Sequence, residues 1–158
     1  PRFLRGGAGL RLCRLPACRT GLGTGHLIRT VLRWVLAVFY FTAGVIHLVR
    51  PAPFLTIMPA WVPAPEAVVL WTGVAEILGS VGLVQPFSRP IRQAAGWGLA
   101  LYALCVWPAN INHFALDMAK ANGGLGLGYH VPRMFAQPVI IWLALWAGEC
   151  LPLRRRNA

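Results

Sequence analysis

Glu76 stands near the centre of the apolar run 67–85. A hydrocarbon core about 30 Å thick takes roughly 20 helical residues to cross, so this run is long enough to span it. A charged side chain at that depth costs about 2.5–3.5 kcal/mol even on lenient insertion scales, and intramembrane acids mark ligand or proton sites by default. The structural alternative is a neutral carboxyl hydrogen-bonded to Tyr40 or Tyr102, contributing only to helix association. With about nine residues between it and the preceding loop, Glu76 lies roughly 14 Å down its helix. Side chains lean toward a helix N-terminus, so the carboxyl points back toward that loop. Gly73, Glu76 and Ser80 share its face.

Other apolar runs offer polar partners at compatible heights. Tyr40, Gly44 and His47 follow at i, i+4 and i+7 on the first; Tyr102 and Asn110 are eight apart on the third; Arg133 and Gln137 are four apart on the fourth. Unpaired polar groups are expensive in hydrocarbon, so these side chains are expected to face one another. The expected binding set is therefore His47, Glu76, Asn110, Gln137, Arg133, Tyr40 and Tyr102, with no catalytic residue assigned. Pro108 removes a backbone hydrogen bond next to Asn110 and is expected to bend that helix.

Metal and thiol chemistry find little support in the spacing. No two histidines are four apart, no Cys-x-x-Cys occurs, and Cys105 and Cys150 fall at different heights. No metal site is expected. The glycines of 121–128 are no phosphate cradle, because they follow no strand and lack the Lys-Ser/Thr ending.

The elements that must carry these residues are four apolar runs, at about 30–49, 67–85, 94–112 and 134–152. The 158 residues are 57% hydrophobic and only 12% charged, with mean hydropathy +0.59. Soluble domains carry about a quarter charged residues, so this composition indicates an integral membrane protein. The formal charge of +11 is concentrated at the ends of apolar runs without aromatic interleaving, which argues against nucleic acid as a partner. Residues 1–29 form an acid-free, Arg- and Gly-rich arm expected to be disordered. Such an arm can also be read as a transit peptide, although its Gly and Pro content spoils an amphipathic helix. A basic tail, 154–158, closes the chain.

Positive flanks set the orientation. Arg14, Arg19, Arg29, Arg33, Arg89, Arg92, Arg154, Arg155 and Arg156 fall on one side, against Arg50, Lys120 and Arg133 on the other. Both termini are expected in the cytoplasm. The fold expected is all-α, a four-helix transmembrane bundle over 30–153 with antiparallel neighbours. Small residues four apart, Ala75 with Gly79, Ala94 with Gly98 and Gly96 with Ala100, suit close helix packing. Between the first two spans, Phe54, Ile57, Met58 and Trp61 have the spacing of one helix face. That short helix is expected to anchor in the interface or, as the functional alternative, to lid the outer mouth. The stretch 113–133 is expected as a flexible loop.

Taken in order, Ala43-Gly-Val-Ile-His47, Met58-Pro-Ala-Trp-Val-Pro-Ala-Pro65, Thr72-Gly-Val-Ala-Glu-Ile-Leu-Gly79, Ala95-Gly-Trp-Gly98, Trp107-Pro-Ala-Asn110 and Arg133 with Gln137 resemble the pattern of the DoxX-like family of small membrane proteins. The resemblance covers about 35–150. It implies a four-helix membrane bundle, usually of unassigned activity, some relatives of which are tied to membrane redox and oxidative-stress complexes, and functional positions at Glu76, Asn110, Arg133 and Gln137; it transfers no reaction to this chain. The spacing after Asn110 departs from that pattern, so the resemblance assigns no role to His113 or His130.

Two functional expectations follow. One is a redox-associated subunit of a bacterial-type inner membrane, binding a quinone or other small hydrophobic molecule in a polar pocket of the outer leaflet. Its expected partners are the lipid bilayer and a redox complex or further copies of itself. The other is a non-catalytic scaffold or assembly factor in which Glu76 is structural.

Overall fold

In a computed structural model, residues 24–151 are described, and every regular element among them is a helix. The expectations for residues 1–23 and for the basic tail lie outside the described residues. The helices are α1 (Thr24–Val49), α2 (Ala52–Leu55), α3 (Pro65–Val84), α4 (Arg89–Met118) and α5 (Leu127–Ala147). Three of them, α1, α3 and α4, are long and apolar enough to cross a membrane.

Local chemistry sets the ends of these helices. α1 stops before Arg50-Pro51, because a proline steers the preceding residue away from helical geometry. Pro65 opens α3, where its missing N–H costs nothing. At the start of α4 the Ser88 hydroxyl accepts the Ile91 N–H. α5 follows Gly126, whose φ of 74° suits a residue without a Cβ.

The four long helices pack as a closed ring of neighbours, α1 on α3, α3 on α4, α4 on α5 and α5 on α1. Leu36, Tyr40, Leu83, Leu99, Ala100, Ala144 and Ala147 form the core. The outward faces carry Trp34, Val38, Phe41, Trp71, Leu78, Trp97, Leu104 and Trp142 in exposed positions. Side chains of this kind are at home against lipid rather than water.

Cations close one end of this ring. Arg29 donates to the carbonyls of Trp146 and Leu151, and Arg33 to that of Ala147, capping the C-terminus of α5. Glu149 then pairs with Arg33 at 2.6 Å and Arg92 at 2.9 Å. Burial raises the Glu149 carboxyl, but the hydrogen bonds and charges of Arg33 and Arg92 outweigh this and hold it below its ordinary value.

Several boundaries differ from the sequence expectation. α1 begins at Thr24, so 24–29 belongs to a helix rather than to the arm, and Arg29 and Arg33 tie that turn to α5. α4 and α5 take in most of 113–133, which leaves a turn of only 119–126. A charged cluster around Asp117 ties the facing ends of these two helices together. Of the small-residue pairs, Gly96 packs on Gly148, whereas Gly98 faces open space. The helix between the first two spans is shorter than its periodicity implies. Phe54, Ile57 and Met58 turn inward, but Trp61 is 74% exposed, because the turns after Leu55 break the face they were expected to share.

Candidate functional site

Two glycines position the centre of the site. A Cβ on Gly44 would lie 2.7 Å from the Gly73 carbonyl oxygen, and one on Gly73 would lie 2.8 Å from the His47 Cβ. Without side chains there, α1 and α3 approach closely in the manner of small-residue contacts in lipid. One turn on from Gly44, His47 Nδ1 comes within 2.6 Å of Glu76 Oε2. Both side chains are buried, Glu76 to 2% exposure. At that separation one proton lies between nitrogen and oxygen.

A cavity of about 300 Å³ opens beside this pair. All seven side chains expected to bind line it: Tyr40 and His47 from α1, Glu76 from α3, Tyr102 and Asn110 from α4, Arg133 and Gln137 from α5. The structure therefore brings the whole expected set to one space, on four helices. Apolar residues such as Val68, Val69, Val106 and Ile140 supply the rest of the wall. This is the usual make-up of a small-molecule site, in which apolar walls bind and a few polar groups orient.

The polar groups are not equivalent. Gln137 Nε2 donates to the Ala103 carbonyl, and Gln137 Oε1 accepts from Asn110 Nδ2 at 3.2 Å. Gln137 is thus occupied with protein partners and holds Asn110. Asn110 Oδ1 and Tyr40 Oη, both buried, have no partner among the described residues. The Tyr40 ring is fixed by edge contacts with Phe39 and Tyr102, at 5.5 and 5.9 Å between centroids. Of the expected alternative, a carboxyl bonded to Tyr40 or Tyr102, the Tyr40 bond does not form, since Glu76 pairs with His47 and the Tyr40 hydroxyl stays free, whereas the Tyr102 hydroxyl lies beside the Glu76 carboxyl.

The α2 segment covers this cavity. Phe54 lies against His47 with 3.7 Å between ring centroids, Ile57 and Met58 line the wall, and Asn112 Nδ2 donates to the Ile57 carbonyl at 3.0 Å. Of the two expected roles for the segment, its inward residues match the lid.

Next to the cavity lies a cluster around Asp117. Its carboxylate accepts from His130 Nε2 at 2.9 Å, from the Leu125 N–H at 3.1 Å and from Lys120. His113 Nε2 approaches to 3.6 Å. Arg133 Nη1 donates to His113 Nδ1 at 2.8 Å, which makes that nitrogen the acceptor and places the ring proton on Nε2, toward Asp117. Arg133 also lies over the Tyr129 ring. No carboxylate pairs with Arg133 among the described residues, and its side chain also lines the cavity.

A family profile described as Domain of unknown function (DUF8561) matches residues 36–148. The chain belongs to that family. No curated protein and no solved structure matches it. The DUF8561 region contains the cavity lining and the Asp117 cluster alike.

Within this DUF8561 domain, sequence reasoning missed Asp117 and its two histidines. His113 and Asp117 are four apart on one helix face, which was the available signal; the pairing with His130 depends on how the 119–126 turn folds back. His113, Asp117 and His130 have atoms of metal-ligand type close together. Their surroundings do not suit a cation. Lys120 already neutralises the carboxylate, and Arg133 sits where a coordinating His113 would need an acceptor for its second N–H. The cluster acts instead as a staple joining α4 to α5.

Proposed function

We propose that this DUF8561 protein is a membrane subunit that binds a small hydrophobic molecule in its cavity, with a quinone as the candidate suggested by the DoxX-like resemblance. In this reading four spans cross the membrane with antiparallel neighbours, and both termini are cytoplasmic. The gathering of Arg33, Arg89 and Arg92 around Glu149, with Arg29 on the neighbouring Trp146 carbonyl, supports placing that end inside. The α2 end, with the cavity, then opens to the outer leaflet of a bacterial-type inner membrane. A redox complex or further copies of the chain are the proposed partners.

One observation carries the reading: a buried Glu76–His47 pair faces an apolar cavity of about 300 Å³ together with five more polar side chains from α1, α4 and α5. In it Glu76 and His47 exchange or hold a proton at the ligand's polar atom, Asn110 and Tyr40 hydrogen-bond it, and Gln137 orients Asn110. The test is to purify the protein, extract co-purifying lipids and titrate quinones against tryptophan fluorescence. Saturable quenching that weakens in Glu76→Ala is expected. Absence of quenching, or equal quenching in the variant, overturns the reading.

A second reading, a scaffold with a structural Glu76, is favoured by the buried pairing of Glu76 Oε2 with His47 Nδ1. It predicts that Glu76→Gln preserves both fold and partner association, and co-purification without any stable partner counts against it.

A further inference from the structure

We infer that the cavity selects an apolar molecule bearing a hydroxyl donor, the alcohol, phenol or quinol class, over one that offers only carbonyl oxygens. This inference rests on the reading of the cavity as a ligand site and names the chemistry of its occupant: of the proposed quinone couple, the reduced quinol is the form held more tightly and the quinone the weaker ligand.

The deciding group is Asn110. Its amide orientation follows from a chain of partners. The Ala103 carbonyl can only accept, so the Gln137 atom facing it is the amide nitrogen. Gln137 therefore presents its oxygen to Asn110, and the Asn110 atom facing that oxygen is its nitrogen, 3.2 Å away. What Asn110 turns elsewhere is Oδ1, an acceptor that cannot donate. This oxygen has no partner among the described residues, and Asn110 is 4% exposed and lines the cavity. Flipping the amide would set two oxygens against each other, so the network opposes that escape.

A carbonyl ligand cannot satisfy such a group. It brings lone pairs only, and these would meet the Asn110 oxygen without a hydrogen between them. A hydroxyl supplies that hydrogen and keeps lone pairs for a donor. Donors are at hand in the same cavity: the Tyr40 hydroxyl, buried and unpartnered, and the Arg133 guanidinium, whose Nη1 is held by His113. An acceptor, an ambivalent hydroxyl and a cationic donor together match an O–H group better than a C=O. Leaving a buried polar group unpaired is what makes such sites discriminate strongly. The walls of Val68, Val69, Val106 and Ile140 call for an apolar remainder, and a volume of about 300 Å³ admits one small substituted ring.

The test compares para-hexylphenol with its methyl ether, which differ by the donor hydrogen and one methyl group. The full chain in lipid nanodiscs is titrated calorimetrically, with empty nanodiscs subtracted. The phenol is expected to bind about tenfold more tightly than the ether, the scale of one hydrogen bond. In Asn110→Leu the preference should fall to about one while the ether still binds. Tyr40→Phe, which removes only a hydroxyl, should weaken the phenol a few-fold and keeps the test open if Asn110→Leu does not fold. Equal binding of phenol and ether by the wild type, or an undiminished preference in Asn110→Leu, overturns the inference and leaves the ligand cavity standing. Binding of neither probe overturns the cavity reading itself, and this inference with it.

Discussion

Gly44 and Gly73 meet backbone to backbone where α1 crosses α3, and their contact sets the distance between His47 and Glu76. A Cβ on Gly44 would sit 2.7 Å from the Gly73 carbonyl oxygen, closer than carbon and oxygen can stand. The acid–imidazole pair at 2.6 Å is therefore a consequence of two residues that carry no functional group.

Adding one methyl at either glycine should push α1 and α3 apart. Gly44→Ala and Gly73→Ala are each expected to destabilise by about 1–3 kcal/mol, the usual cost of overpacking a tight contact. Gly98→Ala, whose Cβ would meet nothing within 4 Å, is expected to be close to neutral. Unfolding by denaturing detergent in mixed micelles measures all three, and equal effects would refute the contact's special status.

The Glu76–His47 pair should behave as a coupled unit. Removing one partner, as in His47→Leu or Glu76→Leu, strands the other in an apolar setting and is expected to cost about 3–5 kcal/mol. The double replacement is expected to cost less than the two single losses combined. Glu76→Gln retains a hydrogen-bonding group at similar volume and should lose only about 0.5–1.5 kcal/mol. A double-mutant cycle on unfolding free energies checks this, and strict additivity would contradict it.

Acid should loosen the end of the structure that Glu149 holds. Because its carboxyl is depressed in the folded protein, its contribution is fully present above the ordinary value of 4.5 and is lost as pH falls through the lower folded value. Stability should therefore decline below about that pH in the wild type, and this component should be missing in Glu149→Gln. Melting curves of both proteins across the acid range decide it.

The turn 119–126 should depend on Asp117. Its carboxylate holds the Leu125 N–H, Lys120 and His130, and Gly124, at φ +57°, packs directly against it. Asp117→Asn is expected to raise hydrogen exchange across the turn and the first turn of α5, while α1 and α3 keep their protection. Gly124→Ala should do the same, since a Cβ there would strike the Asp117 side chain and the left-handed backbone disfavours it. Unchanged exchange in both variants would remove Asp117 from its organising role.

Much of this molecule was legible in the chain by itself. Lipid demands apolar helices of a minimum length, so the runs around Tyr40, Glu76 and Tyr102 announce themselves, and a carboxyl in such a run must find polar company. Helical periodicity then placed Tyr40 with His47 and Gly73 with Glu76 on shared faces, both now seen buried. What periodicity could not decide is which atoms meet across helices. That His47 rather than Tyr40 takes the Glu76 carboxyl, that Gln137 holds Asn110, and that Asp117 binds His130 thirteen residues away all depend on how close the backbones come and how the turns fold back. Those separations are set by packing between segments, and only the tertiary structure decides them.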